Sequence, residues 1–163
     1  LALARAGGVD KARRQIDYLR QLPEGKYSGH WSTLGADLLE GELAFMRGDY
    51  AAAERCMAPA VQHIHAMGGG SREQKDIFKD VFLELQRRLG HTDQVIELAQ
   101  QRLRANPRHI PSLAALAWAY GQTGQTSQQH HVCQQLISRG EEVRLHPQAP
   151  ELFEARQALQ AMA

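Results

Sequence analysis

Histidine and cysteine are the residue types of this chain that could bind a metal. The 163 residues include eight histidines and two cysteines. His130 and Cys133 are three residues apart, so on a helix they could share one ion, whereas His63 and His65 are two apart and point to opposite sides. No third ligand is evident beside His130 and Cys133. We therefore expect no metal site and no cofactor, and interpret the histidines as surface residues.

A second candidate is an acidic stripe. Asp76, Asp80 and Glu84 follow one another at intervals of four residues, which stacks three carboxylates on one face of a helix. The stripe could bind a cation or a basic peptide. Alternatively it is a solvated surface whose charge is relieved by basic neighbours on the same helix. These neighbours are Lys79, Arg87 and Arg88.

Catalytic motifs are missing from the sequence. It contains no nucleophile elbow, zinc-protease signature, phosphate-binding loop or dinucleotide-binding glycine motif. The run Gly68-Gly69-Gly70 has no strand before it and no lysine after it, so we interpret it as a hinge between helices. We expect no catalytic residues and no enzymatic activity within this chain.

Charge and hydrophobicity exclude two classes of partner. The net charge is +1, with 19 basic and 18 acidic residues intermixed, which offers no basic patch for nucleic acid. No apolar run approaches the ~20 residues needed to cross a membrane. Cys56 and Cys133 each fall in a predicted helix and are interpreted as reduced, packed thiols, although a disulfide is an alternative. We expect a cytoplasmic protein, and a fragment of a longer chain because Leu1 begins inside a helix.

Four glycines divide the chain into helical hairpins. Around Gly90, apolar residues recur at helical spacing from Phe78 to Leu103. Gly90 fits the position just past a helix end, Thr92 fits an N-cap, and Asn106-Pro107 stops the next helix. The turn glycines, separated by 41, 42 and 34 residues, are Gly7, Gly48, Gly90 and Gly124. Five positions after each glycine, where a small side chain lets paired helices approach, stand Ala12, Ala53, Val95 and Gln129.

The same patterns predict the other helices and their ends. We expect Asp49 to be an N-cap, Ser71 and Gln74 to form a capping box, and Pro59 to kink its helix. Gly140 is expected to follow the end of a helix, and residues 26–31 to form a surface loop. No strand is predicted. Besides the central helix after Ser71, helices are expected at about 9–22, 33–47, 50–67, 110–123, 127–139 and 151–162.

These hairpins resemble the tetratricopeptide repeat, whose period is 34 residues. Residues 110–139, and more loosely 76–107, have its Leu/Ala-rich first helix, an aromatic at Tyr120, the turn glycine, and Pro107 at the repeat end. Gln129, Gln86 and Ala44 depart from the pattern. More narrowly, residues 41–78 are similar to the tetratricopeptide-repeat-protein-38-like group. The matching residues are Gly69, Gly70, Ser71, Gln74, Asp76 and Phe78.

The resemblance implies an all-α, right-handed α-solenoid of antiparallel hairpins over residues 1–163. The repeats would span about 1–29, 33–70, 72–108 and 110–140, with a closing helix at 150–162. In this repeat the first helix of each hairpin lines a concave groove, and the second does not. The corresponding positions here, expected to contact a partner, are Glu42, Phe45, Met46, Asp80, Glu84, Arg87, Arg88, Trp118 and Gln122.

We therefore expect a protein–protein interaction scaffold that binds a peptide or a partner helix in this groove. Trp118 could instead simply pack against the preceding repeat. Two other functions remain open: an accessory or regulatory region of a larger enzyme, and a homo-oligomerisation module. The chaperone-type clamp for a C-terminal carboxylate is disfavoured, because Leu38 and Glu42 occupy two of its positions.

Overall fold

The computed structural model describes residues 7–23, 30–67 and 71–162, with the backbone alone at residues 72 and 73. Within these ranges the chain is all-helical, with eight α-helices and no strand. No helix in this part of the chain is long and apolar enough to cross a membrane. The chain divides into two compact units, residues 1–85 and 86–163.

The first unit contains α1 (Val9–Arg20), α2 (Ala36–Met46) and α3 (Tyr50–Gln62). A π-helical turn, Trp31–Gly35, leads directly into α2, and its Gly35 N–H donates to the His30 carbonyl. A Cβ on Gly35 would meet the Trp31 ring at 2.5 Å, so glycine lets the ring lie over this turn. A short 3₁₀ segment, Ile64–Ala66, follows α3.

Helix α4 (Arg72–Leu89) contains the boundary between the units, which falls after Leu85. The second unit continues with α5 (Thr92–Ala105), α6 (Ile110–Gln122), α7 (Thr126–Glu142) and α8 (Pro150–Ala161). Pro111 and Pro150 lie in the first turns of α6 and α8, where a missing N–H costs nothing. Helix α6 packs against α5 and α7, α7 packs against α8, and α6 also contacts α8.

The four predicted turn glycines are confirmed. All have positive φ, between 70° and 78°, a region that L-residues with a side chain rarely adopt. At Gly48, Gly90 and Gly124 the glycine N–H bonds three residues back and the next N–H bonds five residues back, the Schellman arrangement. The end of α7 has the same pair of bonds, but Arg144 occupies the glycine position with φ 54°.

That fourth turn corrects one expectation. Gly140 does not follow a helix end; it lies inside α7, which continues to Glu142. Gly140 is buried, and a Cβ there would meet the Leu152 side chain of α8 at 2.6 Å. Glycine at this position allows the close approach of two helices, whereas the turn residue, Arg144, follows four residues later.

Helix starts agree with the sequence in two of three cases. Asp49 caps α3 by accepting from the Ala52 N–H at 3.0 Å. Ser71 and Gln74 form the reciprocal capping box at the start of α4, with bonds of 2.9 and 3.3 Å. The third prediction is wrong by one residue, because the N-cap of α5 is His91 and Thr92 is its first helical residue.

Two other expectations concern helix ends and loops. Pro59 lies in the last turn of α3, and the α-helix ends at Gln62, earlier than the predicted Met67. The expected loop at 26–31 lies outside the described residues except for its end, because Trp31 already begins the π-helical turn. The helix in which Leu1 is expected to lie and the predicted hinge at 68–70 also fall outside the described residues.

Helix pairs approach closely where a glycine faces a large side chain of the next helix. A Cβ on Gly41 of α2 would overlap Met57 of α3 and lie 3.1 Å from the Ala53 carbonyl oxygen. A Cβ on Gly121 of α6 would meet Gln129 of α7 at 2.5 Å. In the second case the glycine accommodates the large residue that departs from the small-residue pattern.

Candidate functional site

The three candidates on α2 are largely involved in packing. Glu42 is only 3% exposed, so its carboxylate is not offered to a partner at the surface. Met46 packs against the apolar cluster of Ile16, Ala36 and Leu43. Phe45 is half-buried, and its ring lies 5.6 Å from that of Tyr50. Of these three residues, Phe45 is the one that is neither buried nor part of that cluster.

The candidates on α4 are more accessible. Asp80, Glu84 and Arg87 are half-buried, and Arg88 is exposed. The acidic stripe includes one ion pair with a neighbour, Lys79 to Asp76 at 3.2 Å. This pair agrees with the interpretation of the stripe as a surface relieved by basic residues. The pair does not test whether Asp80 and Glu84 bind a partner, and that role stays a prediction.

The candidates on α6 lie on the only side of that helix with substantial exposure. Trp118 is half-buried and Gln122 is exposed, and Ala114, which was not a candidate and is also half-buried, precedes them on the same line at an interval of four. We call these three residues the α6 stripe. The remaining sides of the helix face the interior. Their buried residues are Ser112, Leu113, Ala115, Leu116, Ala117, Ala119 and Tyr120.

An ion pair within the second unit joins the end of α4 to α8, the predicted closing helix. The Arg87 guanidinium of α4 lies 3.6 Å from the Glu154 carboxylate of α8. Helix α8 also packs directly against α6, the helix that carries the stripe. The structure therefore associates Arg87 with an acidic residue that was not a sequence candidate. No local pattern could have identified Glu154, because its partner lies far away in the chain.

Other polar contacts in the second unit hold loops to helices. Glu142 near the end of α7 contacts both Arg108, in the loop before α6, and Arg139, at 3.0 Å. Arg156 of α8 donates to the Pro147 carbonyl at 2.9 Å. These contacts lie within α7 or join a loop to a nearby helix, and their exposed charges suit a structural role.

Two buried polar residues of this unit, Gln86 and Tyr120, form side-chain hydrogen bonds. Gln86 is fully buried at a position where the resemblance expects an aromatic, and its Oε1 accepts from His91 Nδ1 at 2.7 Å. Tyr120, the aromatic that matches the repeat, accepts from Gln100 Nε2 through its hydroxyl at 3.2 Å. Where the resemblance expects a packed aromatic ring, Gln86 therefore forms a hydrogen bond to the turn that follows α4.

The metal-ligand candidates do not form a cluster in the described ranges. No group of three His, Cys, Asp or Glu residues there could hold an ion. Cys133 is fully buried while His130 is exposed, and the side chains of His63 and His65 are exposed.

Both cysteines are free thiols, as the sequence predicted. Burial raises the pKa of the Cys133 thiol. Burial also raises the pKa of Cys56, and the nearby carboxylates of Asp37 and Glu40 raise it further. Neither thiol is therefore activated as a nucleophile.

Comparison with known proteins gives no assignment, because no protein-family model and no curated protein matches this chain.

Proposed function

We propose that this chain is a protein-interaction scaffold that binds a peptide or partner helix along the first helices of its hairpins. The α6 stripe is the observation that carries the proposal. It presents a half-buried tryptophan beside an exposed glutamine on the open side of an otherwise interior helix. Partly exposed aromatic side chains of this kind are frequent anchors of protein interfaces.

We further propose that the hairpins belong to the tetratricopeptide class and stack as a right-handed solenoid. Two features support this. The turns repeat one geometry with a glycine in the left-handed region, and α6 contacts both its neighbours in sequence and α8. A contact between the first helix of the last hairpin and the predicted closing helix is what stacking of such hairpins requires. A cytoplasmic protein partner, and no nucleic acid, is the expectation that accompanies this class.

The test is affinity capture from a cell lysate with wild-type protein and the double variant Trp118→Ala with Arg88→Glu. The single variant Arg88→Glu, at an exposed residue, is included to separate the effect of the arginine from that of the tryptophan. Tyr18→Ala is the matched control, since it removes an aromatic that is 59% exposed on α1, outside the proposed face. Circular dichroism establishes that each variant is folded.

We expect specific partners to be recovered with wild type and with Tyr18→Ala, reduced with Arg88→Glu, and lost with the double variant. Equal recovery of every partner by all four proteins would reject the proposed face. The identity of a captured protein is then established by mass spectrometry.

A further inference from the structure

A lysine at the start of α4 bonds to the backbone on the other side of the glycine run at 68–70. The Lys75 ammonium, in the first turn of α4, donates to the Met67 carbonyl at 2.7 Å. Met67 follows the 3₁₀ segment, and its own backbone is already extended, with φ −66° and ψ 122°. The last carbonyls of a helical segment have no helical partner. Lys75 therefore supplies a donor to a carbonyl at the end of the preceding segment, eight residues away in the sequence.

The charge of Lys75 has no acidic partner in the part of the chain that the structure describes. The neighbouring carboxylate, Asp76, pairs instead with Lys79 at 3.2 Å. Lys75 is half-buried, and its bond to Met67 is partly shielded from water. A hydrogen bond from a charged donor is stronger than one between neutral groups, and shielding strengthens it further. This contact therefore depends on the positive charge of one side chain.

The segments on both sides of the contact have their own supports. Ser71 and Gln74 form the capping box that starts α4. On the other side, Ile64 and Met67 are buried, with 0% and 2% exposure. The sequence between them includes three glycines, which lose more conformational freedom than other residues when the backbone is fixed. Chain entropy therefore favours release of Lys75, and the release affects the connection and not the helical segments that it joins.

We infer that Lys75 is a charge-dependent latch: its ammonium holds the start of α4 to the buried Met67, and removal of its charge opens this connection. The inference goes beyond the proposed function and does not rest on it. Helix α4 carries Asp80 and Glu84, two residues that we expect to contact a partner. The latch therefore controls how firmly the start of that helix is held.

The experiment measures amide hydrogen exchange of the full chain at single residues by NMR. The proteins are wild type, Lys75→Met, Lys75→Arg and Lys79→Met. Lys75→Met removes the charge and the donors but keeps an unbranched side chain, whereas Lys75→Arg keeps a charged donor. Lys79→Met is the matched control, because Lys79 lies one turn further along α4 and its ammonium contacts the Asp76 carboxylate instead of a backbone carbonyl.

Three backbone amides serve as reporters. The N–H groups of Met67 and of residue 75 form backbone hydrogen bonds on the two sides of the contact. The Ala53 N–H bonds the Asp49 carbonyl at 3.0 Å in α3, and it reports the rest of the first unit. Comparison of these amides separates local opening from loss of stability throughout the unit.

We expect Lys75→Met to lower the protection factors of Met67 and of residue 75 by at least about tenfold, because a charged hydrogen bond is lost. Protection of Ala53 should stay close to that of wild type, since the opening is local. Lys75→Arg should retain most of the protection, and Lys79→Met should match wild type.

Four results would overturn the inference. Unchanged protection at Met67 in Lys75→Met would show that the contact does not hold the connection. An equal loss at Ala53 would make Lys75 a general contributor to the stability of the first unit. A loss in Lys75→Arg as large as in Lys75→Met would show that the charge is not what holds the latch, and the same loss in Lys79→Met would assign the effect to overall charge. The affinity capture tests the proposed function separately from all four.

Discussion

Gly41, Gly121 and Gly140 lie where two helices approach closely. Replacing each by alanine should change the free energy of unfolding by an amount that depends on how far the neighbouring side chain can move. In the interior of a helix, alanine is favoured over glycine by about 1 kcal/mol. At Gly41 that gain is opposed by overlap with Met57, whose side chain is fully buried, and by contact with the Ala53 carbonyl oxygen at 3.1 Å. Overpacking of a core costs about 1–3 kcal/mol.

The expected order follows from these neighbours. Gly41→Ala should destabilise by about 2 kcal/mol, because neither a buried methionine nor a backbone carbonyl can retreat. Gly140→Ala should cost about 1 kcal/mol, since it meets the buried Leu152. Gly121→Ala should be neutral or stabilising by up to about 1 kcal/mol, because it meets only the amide end of Gln129, which is half-buried and free to rotate away.

Urea unfolding followed by tryptophan fluorescence provides the assay. The chain has two tryptophans, Trp31 in the first unit and Trp118 in the second. When Trp118 is replaced by phenylalanine, the fluorescence of Trp31 reports the unfolding of the first unit. When Trp31 is replaced instead, Trp118 reports the unfolding of the second unit. Gly41→Ala should lower the midpoint reported by Trp31, and Gly140→Ala the midpoint reported by Trp118, without a change in slope.

A double-mutant cycle identifies the cause. Met57→Ala alone should cost about 2–5 kcal/mol through a cavity. In the Gly41→Ala background it should cost distinctly less, because the two substitutions relieve each other. The reasoning is refuted if Gly41→Ala is stabilising, if Gly121→Ala is as costly as Gly41→Ala, or if the two substitutions at α2 and α3 are additive.

Four further predictions concern three single positions. Arg144→Gly should raise the free energy of unfolding by about 1 kcal/mol, because its φ is 54°; Arg144→Ala should not, and urea titration distinguishes them. Asp49→Ala should destabilise by about 1 kcal/mol through the lost cap, while Asp49→Asn should retain most of that stability in the same titration. Native Cys133 should resist iodoacetamide relative to Cys56, as mass spectrometry would measure, because Cys133 is fully buried. Burial raises the pKa of the Cys133 thiol above its unfolded value of 9.0, so the contribution of this thiol to the free energy of unfolding is present below pH 9 and is lost as the pH rises further. Cys133→Ala should therefore lessen the loss of stability at alkaline pH. An unchanged dependence of stability on alkaline pH would contradict this account.

Local signals in the sequence were sufficient for the turns and most helix starts. A glycine in the left-handed region and a Ser/Gln capping box depend on residues within a few positions of one another, so Gly90 and Ser71 could be identified without a structure. The Gly140 prediction failed because glycine has two uses. It allows positive φ at a turn and close approach inside a helix, and the sequence does not distinguish them.

The candidate site was less predictable, because burial depends on residues distant in the chain. The spacing that placed Trp118 on the open side of α6 also nominated Glu42, which is buried. Counting from a turn glycine gives the direction of a side chain around its helix, but it does not reveal what covers that direction. Glu154 was missed for the same reason, since only the packing of α8 brings it to Arg87.

The exchange between Gly121 and Gln129 has a consequence for recognising distant relatives of such hairpins. A long residue on one helix is tolerated when the facing residue has no side chain or when the long residue can turn its flexible end aside, so the two positions have to be judged together. Profiles that score each column independently penalise the glutamine and give the glycine no credit. A profile that scored the positions of Gly121 and Gln129 jointly would recognise hairpins that scoring each position separately misses.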